Sequence, residues 1–230
     1  MPIGVLTDCG VIFLGGLLGG ALQKALTDDL KQKMQILFGF CSMAIGINSI
    51  VKVAAMTPVV IAVLLGYLLG HFWKLEEKTT SFFRWLVEKT GLGGKNVDMF
   101  SYITVVALFC CSGFGWFGTL MEGIRGDSSV LLSKAVLDFC VAVVFATTLG
   151  KAVSMIALPQ LGILMAVFLI GKGCGGFVTD SMFANLTACG GILTLSAGMR
   201  VANIKSLPLV DMVPALILIF PLSALWSLIM

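Results

Sequence analysis

Two residues of opposite charge lie four positions apart in an otherwise apolar stretch, and they are the first candidates for chemistry. Lys134 and Asp138 fall within residues 128–150, and a helix would place both on one face, within ion-pair reach. If this stretch crosses a membrane, either charge facing lipid would cost about 2.5 to 3.5 kcal/mol. The pair is therefore predicted to face protein or water. We interpret it as part of an ion or substrate site, with a purely structural ion pair as the alternative.

Two acidic residues precede this pair and are further candidates for binding an ion or a substrate. Asp127 is a predicted N-cap, whose carboxylate would accept from the free amide of Ser129 or Val130. Asp138 follows about 16 Å further along such a helix, near the middle of a bilayer core of roughly 30 Å. Glu122 lies just before the cap and completes the acidic set.

Polar residues end two of the predicted helices in the same way. In each case two polar residues come first, and a lysine follows three or four positions later, at Lys52 and at Lys151. We interpret the four polar residues as candidate lining of a solute path: Asn48, Ser49, Thr147 and Thr148.

Motifs of enzymatic chemistry do not occur in the sequence. It has no GxSxG, HExxH or Walker A motif, and no nucleophile and base at a recognisable spacing. His71 is the single histidine, and a metal site needs more ligands than it can supply. The sequence therefore predicts no enzyme, no metal and no cofactor.

The composition predicts that these residues sit in a membrane. Of 230 residues, 58% are hydrophobic and 12% are charged, and the mean hydropathy is +1.05, too apolar for an ordinary soluble domain. Two long apolar runs, 2–23 and 128–150, are interrupted by one or two charges. Six more runs have no charge at all: 34–51, 53–70, 99–121, 152–171, 181–199 and 212–230. We predict an all-α polytopic membrane protein with eight transmembrane helices, or seven as the alternative.

The distribution of basic residues predicts the orientation. With eight helices, eleven of the 15 Lys and Arg residues fall in the loops after the first, third, fifth and seventh helices. The positive-inside rule puts those loops in the cytoplasm and both termini outside. A net charge of +3 gives no reason to expect a nucleic-acid partner.

One hydrophilic segment, 76–98, divides the chain. Its periodicity predicts an amphipathic helix on the cytoplasmic surface. Residues 1–75 and 99–175 match weakly at an offset of 99, for example at Lys52 and Lys151. Each part would contain three helices. Because three is an odd number, the second part would cross the membrane in the opposite direction to the first, and the two would be inverted three-helix repeats, as in many transporters. Residues 176–230 would add two C-terminal helices.

Three glycine-rich motifs, GGLLGG, GFGWFG and GKGCGG, begin at Gly15, Gly113 and Gly171. Small residues of this kind favour close helix packing and are compatible with a homodimer. Local breaks that expose backbone groups to a cavity are the alternative.

The sequence also resembles a known family. GIRGDSSVLLSKAVLDF, GGILTLSAGMRVANIKSLPLVDMVPALI and FLGGLLGG are similar to the bacterial inner-membrane family called domain of unknown function 554, over essentially the whole chain. The resemblance implies a multi-pass protein of the bacterial inner membrane and a candidate transporter. Three acidic residues and one lysine of this sequence match the family pattern. At two other positions the resemblance implies asparagine, which does not titrate, so no proton carrier is expected at those two. The matching positions are Glu122, Asp127, Lys134 and Asp138; the differing ones are Asp8 and Asp211.

Three functions follow in order of preference. The first is a secondary transporter or permease for a small solute, with H⁺ or Na⁺ as candidate coupling ions and Asp138 and Lys134 at or beside the site. The second is a membrane scaffold or accessory subunit, in which the charge pair only orients helices. A membrane enzyme comes third.

Overall fold

The computed structural model describes residues 1–22, 27–90, 99–110, 112–174, 176, 178–205 and 207–229. Within these ranges the chain forms helices and no strand. A 3-10 turn, Gly150–Ile156, lies between α7 and α8. The α-helices in chain order are α1 (Ile3–Ala21), α2 (Asp28–Ile50), α3 (Met56–Trp73), α4 (Leu75–Thr90), α5 (Met99–Cys110), α6 (Gly113–Arg125), α7 (Ser129–Leu149), α8 (Ala157–Cys174), α9 (Asp180–Val201), α10 (Leu209–Met212) and α11 (Ala215–Ile229).

The helical membrane architecture is confirmed at a coarse level. Among the described residues, six helical segments are long and apolar enough to cross a membrane. One of them, Ser129–Gly173, has 45 residues and contains the 3-10 turn that separates α7 from α8. The other five are Ile3–Ala21, Asp29–Ile50, Met56–Trp73, Asp180–Val201 and Leu209–Ile229.

The fourth predicted span, 99–121, differs from the prediction because it consists of two pieces. α5 ends at Cys110, α6 begins at Gly113, and Ser112 between them has an extended backbone with φ −61° and ψ 120°. At 1.5 Å per residue each piece is about 20 Å long or less, too short to cross a core of roughly 30 Å alone. The indole N–H of Trp116 donates to the Cys110 carbonyl at 3.0 Å, which satisfies one open acceptor at the end of α5.

Glycines bring α1 and α7 into close contact, as the GGLLGG motif predicts. A Cβ added at Gly19 would lie 2.2 Å from the Val143 carbonyl oxygen, and one at Gly4 would lie 2.8 Å from the Leu131 Cβ. The residue numbers of the contacts increase together along both helices, so α1 and α7 run parallel. α2 and α9 pack antiparallel, again through glycines.

These contacts establish which helix ends lie together. The side chain of Lys151, in the 3-10 turn, packs on Gly20 of α1, and the Tyr102 hydroxyl donates to the Ala152 carbonyl at 3.0 Å. α4 packs on α5. The last residues of α1, α3, α7 and α9 and the first of α2, α5 and α8 therefore lie at one end of the molecule, called here the α4 end. The starts of α1, α7 and α9 lie at the opposite end.

A polar network ties three helices together at the α4 end. The Glu76 carboxylate accepts from the Arg200 guanidinium at 2.6 Å and from the Val210 amide at 3.0 Å. The Glu76 amide in turn donates to the Asp211 carboxylate at 2.9 Å. α4 is thereby fixed to the junction of α9 and α10. The helix predicted for 76–98 is present as α4, whereas residues 91–98 lie outside the described ranges.

Candidate functional site

The Lys134–Asp138 contact predicted from the sequence is present, and it belongs to a larger buried cluster. The Lys134 ammonium donates to the carboxylates of both Asp138 on α7 and Asp8 on α1, at 2.8 Å in the second case. Gln160 of α8 also donates to Asp8, at 2.8 Å. Asp8 and Gln160 are 0% exposed and Lys134 is 2% exposed. Three helices therefore meet at one ion cluster in the interior of the helical bundle.

Asp138 connects this cluster to a small cavity beside the break between α5 and α6. Its side chain is 14% exposed and lines a cavity of about 50 Å³. Ser112, in the break, and Ser42 of α2 supply the other polar groups of the wall. The remaining lining residues are apolar: Phe38, Leu108, Phe109, Phe114, Leu137, Val141, Ala197 and Val201.

A second, larger cavity lies between the small one and the α4 end. It has a volume of about 550 Å³ and includes Arg200 and Lys205 in its wall. Leu108, Val141 and Val201 line both cavities, so the two cavities adjoin at these three apolar side chains. The other lining residues are Gln35, Phe145, Asn203 and Ile204.

Glu122 occupies a different position from the ion cluster. It is 2% exposed, and its carboxylate accepts from the amides of Gly4 and Val5 at 2.7 and 3.2 Å. The Ser128 hydroxyl donates to it at 2.8 Å. The first amides of a helix have no acceptor within the helix and carry partial positive charge. The Glu122 carboxylate therefore caps α1 from a neighbouring helix.

The remaining predicted site residues lie away from both cavities. Asp127 is exposed and accepts from the Ser129 amide at 2.9 Å, as its predicted cap role requires, although α7 begins at Ser129. Asn48 and Thr148 are exposed. Ser49 and Thr147 are buried, and their hydroxyls donate to carbonyls of their own helices. A role for these five residues in solute binding remains a prediction.

Comparison with known proteins places the chain in a family. Residues 3–224 match the model described as "Protein of unknown function (DUF554)". The chain belongs to the DUF554 family. It is 38% identical over 234 aligned positions to "Uncharacterized protein YqgA" of Escherichia coli (strain K12), covering 99% of this chain and 98% of the relative. It is 26% identical over 219 positions to "Uncharacterized membrane protein YdfK" of Bacillus subtilis (strain 168), covering 94% and 93%. No solved structure matches the chain significantly.

Sequence reasoning missed two residues of the cluster in this DUF554 protein. Asp8 stands alone among apolar residues of α1, and such an acid needs a buried cation, for which Lys134 is the available partner. That argument alone would have predicted their contact. Gln160 lies at the start of α8 with no charge near it in the sequence, so no signal in the sequence indicates its role.

The capping role of Glu122 gives a prediction for this DUF554 protein. Glu122→Gln replaces one acceptor oxygen by an N–H₂ group that faces the helix amides. We expect the free energy of unfolding to fall by about 1 to 2 kcal/mol, the range for a lost N-cap. Chemical unfolding of the purified protein in detergent would measure it.

Asp127→Asn is the matched control for this substitution. It also turns a helix-capping acid into an amide, but Asn is as good a cap as Asp and Asp127 is exposed. Its free energy of unfolding should stay near that of the wild type. Equal stability of Glu122→Gln and the wild type would contradict the capping role.

Proposed function

We propose that this protein is a secondary transporter or permease for a small solute and that Asp138 lies on the path of the solute. The proposal rests on one observation: Asp138, deep in the helical bundle, faces a cavity at a break between two half-length helices. Ionisable residues that face a cavity inside a membrane are functional candidates by default. Broken helices near the membrane midplane form the substrate sites of many secondary transporters.

The sizes of the two cavities suggest where a solute would bind. A water molecule needs about 10 to 15 Å³ of such volume, so the cavity of about 50 Å³ at Asp138 has room for a few waters or one small ion. The cavity of about 550 Å³ falls within the 300 to 1,000 Å³ typical of small-molecule sites. A solute would enter the larger cavity from the α4 end. To reach Asp138 it would pass Leu108, Val141 and Val201, the side chains that line both cavities.

The arrangement in the membrane is part of the proposal. The chain would cross the bacterial inner membrane eight times, α5 and α6 together forming one crossing. Residues 1–75 and 99–175 would be inverted three-helix repeats, followed by two helices in 176–230. Lys52, Arg125 and Lys172 lie at the end opposite α4, whereas most of the other described basic residues lie at the α4 end. The positive-inside rule then supports a cytoplasmic α4 and periplasmic termini. A homodimer remains a candidate assembly.

Thermal unfolding with added ligands tests the proposal. Purified wild-type protein and Asp138→Asn would be heated in detergent with a panel of small metabolites. A ligand that binds the folded state raises the melting temperature. We expect at least one metabolite to stabilise the wild type but not Asp138→Asn. The same metabolite should be taken up by liposomes that contain the wild type, and not by those that contain the variant.

Ser133→Ala is the control, because Ser133 lies on the same helix, is exposed and lines neither cavity. It should bind and transport as the wild type does. Transport by Asp138→Asn at the wild-type rate would remove Asp138 from the mechanism. The proposed function includes no enzymatic step and no cofactor.

One observation favours the second candidate, a scaffold or accessory subunit. Lys134 and Asp8 are buried and line neither cavity, so their contact by itself joins α1 to α7 without reaching a solute. Co-purification of a partner protein, together with no stabilisation by any metabolite, would support this function and contradict transport.

A further inference from the structure

The buried cluster carries more negative than positive charge. Asp8 and Asp138 share one cation, Lys134, whose ammonium contacts both carboxylates. Lys134 is the only fully buried basic side chain among the residues that the structure describes. With both acids ionised, the cluster would hold a net charge of −1. An uncompensated charge in a low-dielectric interior is strongly destabilising, so a further positive charge would stabilise the folded protein.

Two oxygen atoms of the cluster lack a donor. Within the described part of the chain, Asp8 Oδ1 and Gln160 Oε1 are buried and accept no hydrogen bond. Their groups already contact each other, because Gln160 Nε2 donates to Asp8 Oδ2 at 2.8 Å. A buried acceptor without a donor is costly. Both oxygens suit the same kind of ligand, namely a positive charge.

We infer that the hydrogen-bonded pair of Asp8 and Gln160 binds one monovalent cation, with the two donor-free oxygens as its acceptors and Asp138 as its link to the cavity. The cation is a proton or a sodium ion, since both supply a single charge to oxygen atoms. It would restore neutrality to the cluster. Its part in transport rests on the proposed function, in which it would be the coupling ion. The binding itself does not depend on transport.

Among the described residues, few other titratable groups lie near Asp8 and Gln160. On α1, Cys9 is next to Asp8. On α6, Glu122 accepts from the amides of Gly4 and Val5, four and three residues before Asp8. Lys151 of the 3-10 turn packs on α1 at Gly20, twelve residues after Asp8. α8 contributes Gln160, which does not titrate. Apart from Asp138 itself, the lining of the small cavity has no charged residue.

Two measurements on the purified protein in detergent test the inference. Infrared spectroscopy at neutral pH detects the C=O stretch of a protonated carboxylic acid, which shifts in D₂O. Thermal unfolding in increasing NaCl, with choline chloride at equal ionic strength, detects sodium binding. If the cation is a proton, the acid band should be present in the wild type and lost in Asp8→Asn. If it is sodium, NaCl alone should raise the melting temperature of the wild type and have no such effect on Asp8→Asn.

Glu122→Gln is the control for band assignment, because Glu122 is another buried carboxylate. A band lost in Glu122→Gln but kept in Asp8→Asn would overturn the inference. So would a wild-type protein that shows neither an acid band nor a sodium-specific rise, and this outcome needs no variant to fold. Failure of liposome uptake would contradict the proposed function while leaving the cation site as measured.

Discussion

Replacing Lys134 with methionine is expected to lower the free energy of unfolding by about 3 to 5 kcal/mol. This is the usual cost of removing one partner of a buried ion pair, because the other charge stays buried without compensation. Here two carboxylates, Asp8 and Asp138, would lose their shared cation. Methionine keeps an unbranched chain against Gly115, which the Lys134 stem contacts closely. The loss would therefore report charge and not packing.

Chemical unfolding in detergent measures this effect, with Lys52→Met as the control at an exposed lysine. An exposed substitution usually changes stability by less than about 0.5 kcal/mol. Adding Asp8→Asn and Asp138→Asn to Lys134→Met should recover much of the loss, since a neutral cluster needs no cation. If Lys134→Met unfolds like the wild type, the cluster does not hold the charges that its geometry indicates.

The parts of the fold that depend on local sequence could be predicted. Long uncharged runs predicted α2, α3 and α9, because a spanning helix needs about 20 apolar residues. The break between α5 and α6 was not predicted at its observed place: the alternative was a break at the glycine motif that begins at Gly113, whereas Gly113 already belongs to α6. Residues 99–121 have no charge to mark an interruption, and the serine at 112, where the backbone is extended, has only a moderately lower helix propensity than alanine.

The candidate site, too, could be predicted from the sequence only in part. The spacing of Lys134 and Asp138 predicted their contact, since four residues make one helical turn. Asp8 and Gln160 reach the cluster from α1 and α8. Asp8 is 126 residues away from Lys134 in the sequence. Only the tertiary packing of three helices brings them together. The resemblance pointed away from Asp8 as a proton carrier, whereas the structure places it at the centre of the cluster.

The contact between α1 and α7 is therefore the feature on which the site depends, and Gly19→Leu is expected to disrupt it. A Cβ at Gly19 would lie 2.2 Å from the Val143 carbonyl oxygen and 2.8 Å from the Ala146 Cβ. Backbone atoms cannot yield locally, so α1 must move away from α7. We expect the free energy of unfolding to fall by about 3 kcal/mol, at the upper end for overpacking.

Gly10→Leu makes the same change on the same helix without that clash, because nothing lies within 4 Å of a Cβ at Gly10. Its free energy of unfolding should equal that of the wild type or be slightly higher, since leucine favours a helix more than glycine does. The two variants also separate packing from chemistry at the cluster. If α1 moves in Gly19→Leu, Asp8 moves relative to Lys134, so the cation-dependent response should weaken even where the variant still folds. Equal stability of the two variants would show that α1 and α7 do not pack at Gly19.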